Sequence, residues 1–158
     1  MSMNFKIRRA TASDIDLVQE LFRLTVSTLC QKDYTDDQIA AWLAAAQGNL
    51  PQWIRKLDQQ YFLLATDGPQ LLGFGSVDEG YIDFMYAHAD YAGRGVASGI
   101  LRELESEASR NGHQVLHSDV SITARPFFEK KGFKVLHANE NIRGEENLVN
   151  YRMEKHLS

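Results

Sequence analysis

The chain has 158 residues, enough for one domain with a self-sufficient hydrophobic core. With 44% hydrophobic and 24% charged residues it has the composition of a folded globular protein, and no run approaches the roughly 18 apolar residues of a membrane span. A formal net charge of −4 excludes the concentrated positive charge on which nonspecific binding to nucleic acid or anionic membrane depends.

The first nine residues are too poor in apolar side chains for a signal peptide, so a cytoplasmic location is expected. Residues 5–9 alternate as a short strand. Thr11-Ala12-Ser13-Asp14 offers a helix start, with acidic groups suited to the positive end of the helix dipole. Ile15, Leu17, Val18, Leu21, Phe22, Leu24 and Val26 then recur at helical spacing up to Leu29. Cys30 is the single cysteine, which rules out an internal disulfide; it reads as a small buried hydrophobe. Thr35 can cap a second helix running to Ala46, with Gly48 as its stop, and a third short helix carries Trp53, Ile54 and Leu57.

Strands follow at residues 61–66, 70–77 and 81–87, separated by Asp67-Gly68-Pro69 and Asp78-Glu79-Gly80. A long helix spans roughly Gly95 to Arg110, with Val96, Ala97, Ile100, Leu101, Leu104 and Ala108 on its buried face and Asn111-Gly112 at its end. Residues 114–118 form a strand, 122–131 a helix closed by Gly132, and 133–138 and 147–154 two last strands. Hairpins in the middle and helical crossovers later predict an α/β fold with a mixed, largely antiparallel central sheet flanked by helices. One domain across residues 1–158 is expected.

The most informative segment is 91–101, YAGRGVASGIL. Closely spaced glycines between a strand and a helix create a concavity lined by backbone N–H groups that the first helical turn leaves without partners. With the helix dipole these donors favour a phosphate or pyrophosphate. Arg94 sharpens the reading, because an ordinary helix start carries an acid and none occurs here before Glu103. Beside a bound phosphate the same arginine becomes a charge-assisted donor.

Residues 92–97, Ala92-Gly93-Arg94-Gly95-Val96-Ala97, resemble the pyrophosphate-binding turn of the GNAT superfamily of acyltransferases, Arg/Gln-x-x-Gly-x-Gly/Ala, with Ala92 in place of the first polar side chain. Residues 121–133, SITARPFFEKKGF, are similar to the same family's Asn-x-x-Ala-x-x-Phe-Tyr-Glu-Lys-x-Gly-Phe segment, and the order of elements agrees from end to end. The resemblance implies a GNAT-like fold and acetyl-CoA as co-substrate, held at Gly93, Arg94, Gly95, Val96, Ala97 and Ser98. It further implies that the strand at 81–87 lies along the pantetheine arm through Met85, Tyr86 and Ala87, with the N–H near Met85 as oxyanion donor, and that Ser121 and Phe128 border the co-substrate. The acceptor would be a small-molecule amine or a peptide amine, with no nucleic acid or membrane as partner; homodimers are frequent among proteins of this type.

A rival reading takes Gly93, Gly95 and Ser98 as a degraded dinucleotide fingerprint, with Asp119 as the ribose-binding acid. Residues 88–92 and the upstream hairpins fit it poorly. A second alternative is a module that binds acyl-CoA without turnover.

Transfer of an acetyl group to an amine needs a base, because an amine with a pKa near 10.4 is only about one part in a thousand neutral at pH 7. Asp83 is the candidate: it stands in an otherwise apolar strand, on the same face as Met85 by the period of two, where burial would shift it toward a useful basicity. A structural acceptor bonded to a neighbouring helix is the competing role. Glu79 and Asp119 are weaker candidates. The family's phenol is replaced by Phe128, so either the thiolate leaves unprotonated or Tyr86, Tyr151 or a water supplies the proton. His117 could point into the site, and Phe22, Leu29, Tyr34, Trp42 and Trp53 could line an acceptor pocket, although core packing accounts for most such side chains. Lys130 and Lys131 read as a solvated helix end. No spacing of histidines suggests a metal.

Overall fold

A computed structural model describes residues 4–88 and 94–157. Strand β1 (Lys6–Arg9) leads through a single 3₁₀ turn (Ala12–Asp14) into α1 (Ile15–Leu29), and a second such turn (Cys30–Lys32) precedes α2 (Asp36–Gln47) and α3 (Leu50–Gln59). The antiparallel run β2 (Tyr61–Asp67), β3 (Gln70–Asp78) and β4 (Tyr81–Ala87) follows, then α4 (Val96–Arg110), β5 (Val115–Ser121), α5 (Arg125–Lys130) and β6 (Lys134–Asn139). A two-residue-per-strand hairpin, β7 (Ile142–Arg143) and β8 (Glu146–Asn147), separates β6 from the last strand, β9 (Asn150–His156).

The main sheet has seven strands in the order β1-β2-β3-β4-β5-β9-β6. Every pairing is antiparallel except β4 with β5. The mixed, largely antiparallel sheet flanked by helices is therefore as expected. The doubly wound parallel sheet that a dinucleotide fingerprint needs is not what these pairings form.

Each face of the sheet carries its own core. On one side α1, α2 and α3 pack through Val18, Phe22, Val26 and Leu57 onto Phe62, Phe74 and Phe84. On the other, α4 lays Val96, Ile100 and Leu104 against Leu63, Leu72 and Ile82, and α5 adds Phe128. Glycine lets α4 approach: a Cβ at Gly75 would stand 2.8 Å from Ile100 Cγ2, and one at Gly73 2.8 Å from Val96 Cγ1.

The helix starts hold as read from their polar residues. Arg8 grips Asp14 with two hydrogen bonds of 2.8 and 3.0 Å, and the Asp14 carboxylate also accepts from Thr11 N–H. Thr35 and Gln38 form a reciprocal capping box on α2. The differences lie near β5. That strand runs to Ser121, three residues beyond the expected end, because its polar residues are satisfied within the sheet: Ser118 Oγ donates to Ile82 O, and Asp119 accepts from Arg152. α5 starts later than expected because Ser121 Oγ first accepts Ala124 N–H in a turn. The hairpin β7–β8 falls almost wholly in the gap between the two last expected strands, and β9 starts at Asn150 rather than at residue 147.

Candidate active site

The β4–β5 pair is registered only at Tyr81 with His117 and Ile82 with Ser118. Beyond this point the strands separate, and the buried Ser118 hydroxyl, 2.8 Å from Ile82 O, closes the apex of the resulting cleft. Opposite β3, Val77 faces Ile82 and Ser76 faces Phe84, so Asp83 is an extra residue in β4, a β-bulge.

Beyond the bulge, His88 N–H donates to Leu72 O at 2.7 Å. The alternation of an antiparallel ladder makes Tyr86 and Phe84 the next bonded positions. It therefore turns the N–H and C=O of Met85 and Ala87 away from β3, toward the side that β5 has left.

A cavity of about 740 Å³ fills the cleft and draws its wall from both faces of the sheet. On one face stand Val96, Ala97 and Ser98 of α4 with Phe127 and Phe128 of α5; on the other stand Leu29, Tyr34, Trp42 and Leu148. The start of α4 is unusual. Gly95 caps it at φ +85°, no side chain caps the helix, and its first turn holds no acid. The first helical bond runs from Gly99 N–H to Gly95 O, so the N–H groups of Val96, Ala97 and Ser98 lack intrahelical partners. A Cβ added at Gly95 would meet nothing within 4 Å, so the left-handed backbone is what requires glycine there. Arg94 is exposed beside this helix end and outside the cavity wall. Gly93 lies outside the described residues.

Among the sequence-derived candidates the structure brings Asp83, Met85, Tyr86, Ala87, Gly95, Val96, Ala97, Ser98, Ser121 and Phe128 to one cavity. Asp83, however, does not share a face with Met85. The bulge interrupts the period of two: Asp83 Oδ2 lies 2.8 Å from Lys56 Nζ and accepts from Gln60 Nε2 at 2.8 Å, both on α3's side, whereas Met85 packs with the α4 core. Nor is Asp83 a carboxylate isolated among apolar groups. It ends a polar chain in which Ser76 Oγ donates to Gln60 Oε1 at 2.7 Å and Gln60 donates to Asp83, while Asp83 Oδ1 has no hydrogen-bond partner among the described residues.

Asp119 also reaches the wall, but its oxygens accept from Arg152 twice, Tyr81 and Asn139. Burial alone would raise its pKa; the hydrogen bonds from Arg152, Tyr81 and Asn139 outweigh that and hold it below the ordinary range. Glu79 sits in the β3–β4 turn away from the cavity, 3.8 Å from His113. His117 is likewise absent from the wall and lies 3.6 Å from Glu154 on β9. Phe128 is core, edge-on to Phe127 and Phe133. Tyr151 lies outside the cavity wall under Arg125. Burial pushes the Tyr86 phenol well above its ordinary range, so it holds its proton.

Tyr34 does line the cavity, with a structural duty. Its hydroxyl donates to Val149 O at 2.7 Å and accepts from Ile122 N–H at 3.0 Å, and burial raises its pKa to about 12. Leu29 and Trp42 join it; Phe22 and Trp53 stay in the core behind. Missed by the sequence reading are Ser118 at the apex, Lys32 and Arg143 in the wall, and the position of Lys130 and Lys131 at the cavity rather than on a plain solvated face. The two-residue loop Gly144-Glu145, with Gly144 at φ +62°, was the available signal for the hairpin.

The class defined here is a mixed α/β fold with a parallel strand pair splayed open beside a bare, glycine-capped helix start. The sequence pattern of the acetyltransferase (GNAT) domain matches residues 30–157, and the chain belongs to that family. It is 35% identical over 133 residues to YafP of Escherichia coli (strain K12), described as an uncharacterized N-acetyltransferase, across 84% of this chain and 83% of that one. Among solved structures, a GCN5-related N-acetyltransferase from Rhodopseudomonas palustris superposes with a TM-score of 0.93 at 30% identity, covering 99% of this chain and 98% of that one. PaiA N-acetyltransferase from Thermoplasma acidophilum, solved in complex with coenzyme A, superposes with a TM-score of 0.78 at 20% identity, covering 98% and 100%; it supports the fold. Among the described residues no helix is long and apolar enough to cross a membrane, and no group of three or more His, Cys, Asp or Glu could hold a metal.

Proposed function

We propose that the protein transfers the acetyl group of acetyl-CoA directly to a primary amine within a ternary complex. The observation that carries this is the cleft itself: β4 and β5 part just where the bulge turns Met85 and Ala87 toward the gap, with the first-turn N–H groups of α4, which lack intrahelical partners, at the same cavity. The pyrophosphate would rest on the N–H groups of residues 95–98, where the helix dipole and unpaired donors favour an anion. The pantetheine arm would lie along Met85 and Ala87 as an added strand, bonding to their outward backbone groups.

In the reaction the amine nitrogen attacks the thioester carbonyl, a C–N bond forms and the C–S bond breaks. Met85 N–H would receive the developing oxyanion. Asp83 Oδ1 takes the proton that the amine must lose, directly or through a water, while Lys56 and Gln60 hold Oδ2 in place. No phenol stands at position 128, and burial makes the Tyr86 phenol a weaker acid; the thiolate leaves as such in this reading, since a thiol pKa of about 8.5 makes that a modest cost.

The test is calorimetric titration with acetyl-CoA, CoA and NADH, followed by an assay for free CoA in the presence of amines. Micromolar binding of acetyl-CoA, none of NADH, and amine-dependent CoA release are expected. Tight acetyl-CoA binding with no release across a broad amine panel would favour the acyl-CoA-sensing alternative instead.

A further inference from the structure

The charges in the cavity wall do not balance. Its acids are Asp83 and Asp119, and each is already matched by a cation, Lys56 for the first and Arg152 for the second. Its cations are Lys32, Lys130, Lys131 and Arg143. None of these has a carboxylate within 4.0 Å among the described residues; Arg143 bonds only the carbonyl of its neighbour Ile142, and Lys131 stands over the Phe127 ring.

The four divide between the two ends of the cavity. Lys130 and Lys131 close α5, on the α4 side where the phosphates of acetyl-CoA would lie. Lys32 and Arg143 belong to the opposite side. Lys32 ends the 3₁₀ turn before α2, and Arg143 sits on the hairpin that packs on α2, where Gln38 Nε2 donates to Asn147 O at 3.0 Å. The wall on that side also carries the apolar Leu29, Trp42 and Leu148.

We infer that the acceptor is a primary amine that also carries an oxyanion, a carboxylate or a phosphate group, and that Lys32 and Arg143 hold that oxyanion at the α2–hairpin end of the cavity. This rests on the reading of the cleft as an acetyl-transfer site. A plain alkylamine or a polyamine would bring positive charge against two cations that no carboxylate of the described residues approaches within 4.0 Å, and their field would disfavour it. An oxyanion reverses the sign: Arg143 can fork onto it with paired N–H groups and Lys32 can add a point charge. The ammonium end then points toward Asp83, the wall's carboxylate with an unengaged oxygen. The site thus sorts the two ends of a zwitterion.

Matched acceptors test the assignment: phenylalanine, its amide, phenethylamine and the phosphonate counterpart, with ethanolamine against O-phosphoethanolamine as a second series. We expect kcat/KM for the oxyanionic member of a series to exceed that of its neutral partner by about tenfold or more. A carboxylate preference in the first series separates amino-acid-like from phosphorylated acceptors. Lys32→Gln and Arg143→Gln should each shrink the ratio through KM and together abolish it, with the dissociation constant for acetyl-CoA unchanged. Equal or better use of the neutral partners by the wild type, or a ratio that survives in the double variant, overturns the inference. Titration of the CoA complex with N-acetylphenylalanine and its amide decides the point without turnover. Selective binding of the carboxylate supports it, and equal or absent binding of both refutes it. If no amine is acetylated while this selectivity persists, it is the catalytic reading that falls.

Discussion

At Asp83 one residue of backbone decides the chemistry. Without the bulge, alternation would aim this side chain at α4 beside Met85; with it, the carboxylate turns to α3, where Lys56 and Gln60 hold one oxygen and leave the other at the cavity. Asp83→Asn keeps the shape and one acceptor but removes the charge that the incoming ammonium needs. We expect kcat to fall by about a hundredfold, the usual scale of a lost general base, while acetyl-CoA affinity changes by less than about twofold. Steady-state kinetics alongside calorimetry check this. Turnover within about twofold of wild type would leave Asp83 as a structural acceptor only. Gln60 gives a control of different kind, since it touches Asp83 and Ser76 and does not reach the cavity wall.

In helix α4 one element joins packing to the proposed binding of the pyrophosphate. Its flank sits close on β3 because Gly73 and Gly75 have no side chains, and this contact aims the free N–H groups of its first turn at the cleft. Gly95→Val would force a β-branched residue into φ +85°, a strain of about 1–2 kcal/mol or more, and so disturb the turn that presents the donors. The expected result is a dissociation constant for acetyl-CoA raised by more than about tenfold, with a lowered melting temperature. An unchanged constant in a folded variant would remove this turn as the phosphate site. The element-level reading of the sequence placed the start of this helix because glycine spacing and the missing acid are local signals. It failed for the hairpin β7–β8, whose strands are too short for a period to register.

Across the whole molecule, distant segments are tied by polar contacts as well as by the two cores. Tyr34, just ahead of α2, is tied to Val149 before β9 and to the loop after β5. Arg8 holds Asp14, and its hydrogen bonds lower that carboxyl's pKa; Asp119 is lowered too, burial being outweighed by Arg152, Tyr81 and Asn139. Both folded-state values lie below the unfolded value of about 3.9. The stability that these groups contribute is therefore full above that pH and is lost as pH falls through the folded values. Melting temperature should hold from neutral pH down to about pH 5 and then drop, and Asp119→Asn should blunt the drop. An identical acid profile in that variant would show that the Asp119–Arg152 pair adds nothing. By itself the sequence determined the order of the main elements, the sheet's mixed character, the glycine-capped start of α4 and the strand beside it, because helical period, alternation and glycine placement are properties of neighbouring residues. Only the tertiary structure decided which way Asp83 points, that Asp119 and His117 are occupied elsewhere, and that Lys32 and Arg143 share one wall. Those outcomes depend on a bulge and on contacts between residues far apart in the chain, and neither leaves a periodic trace in the sequence.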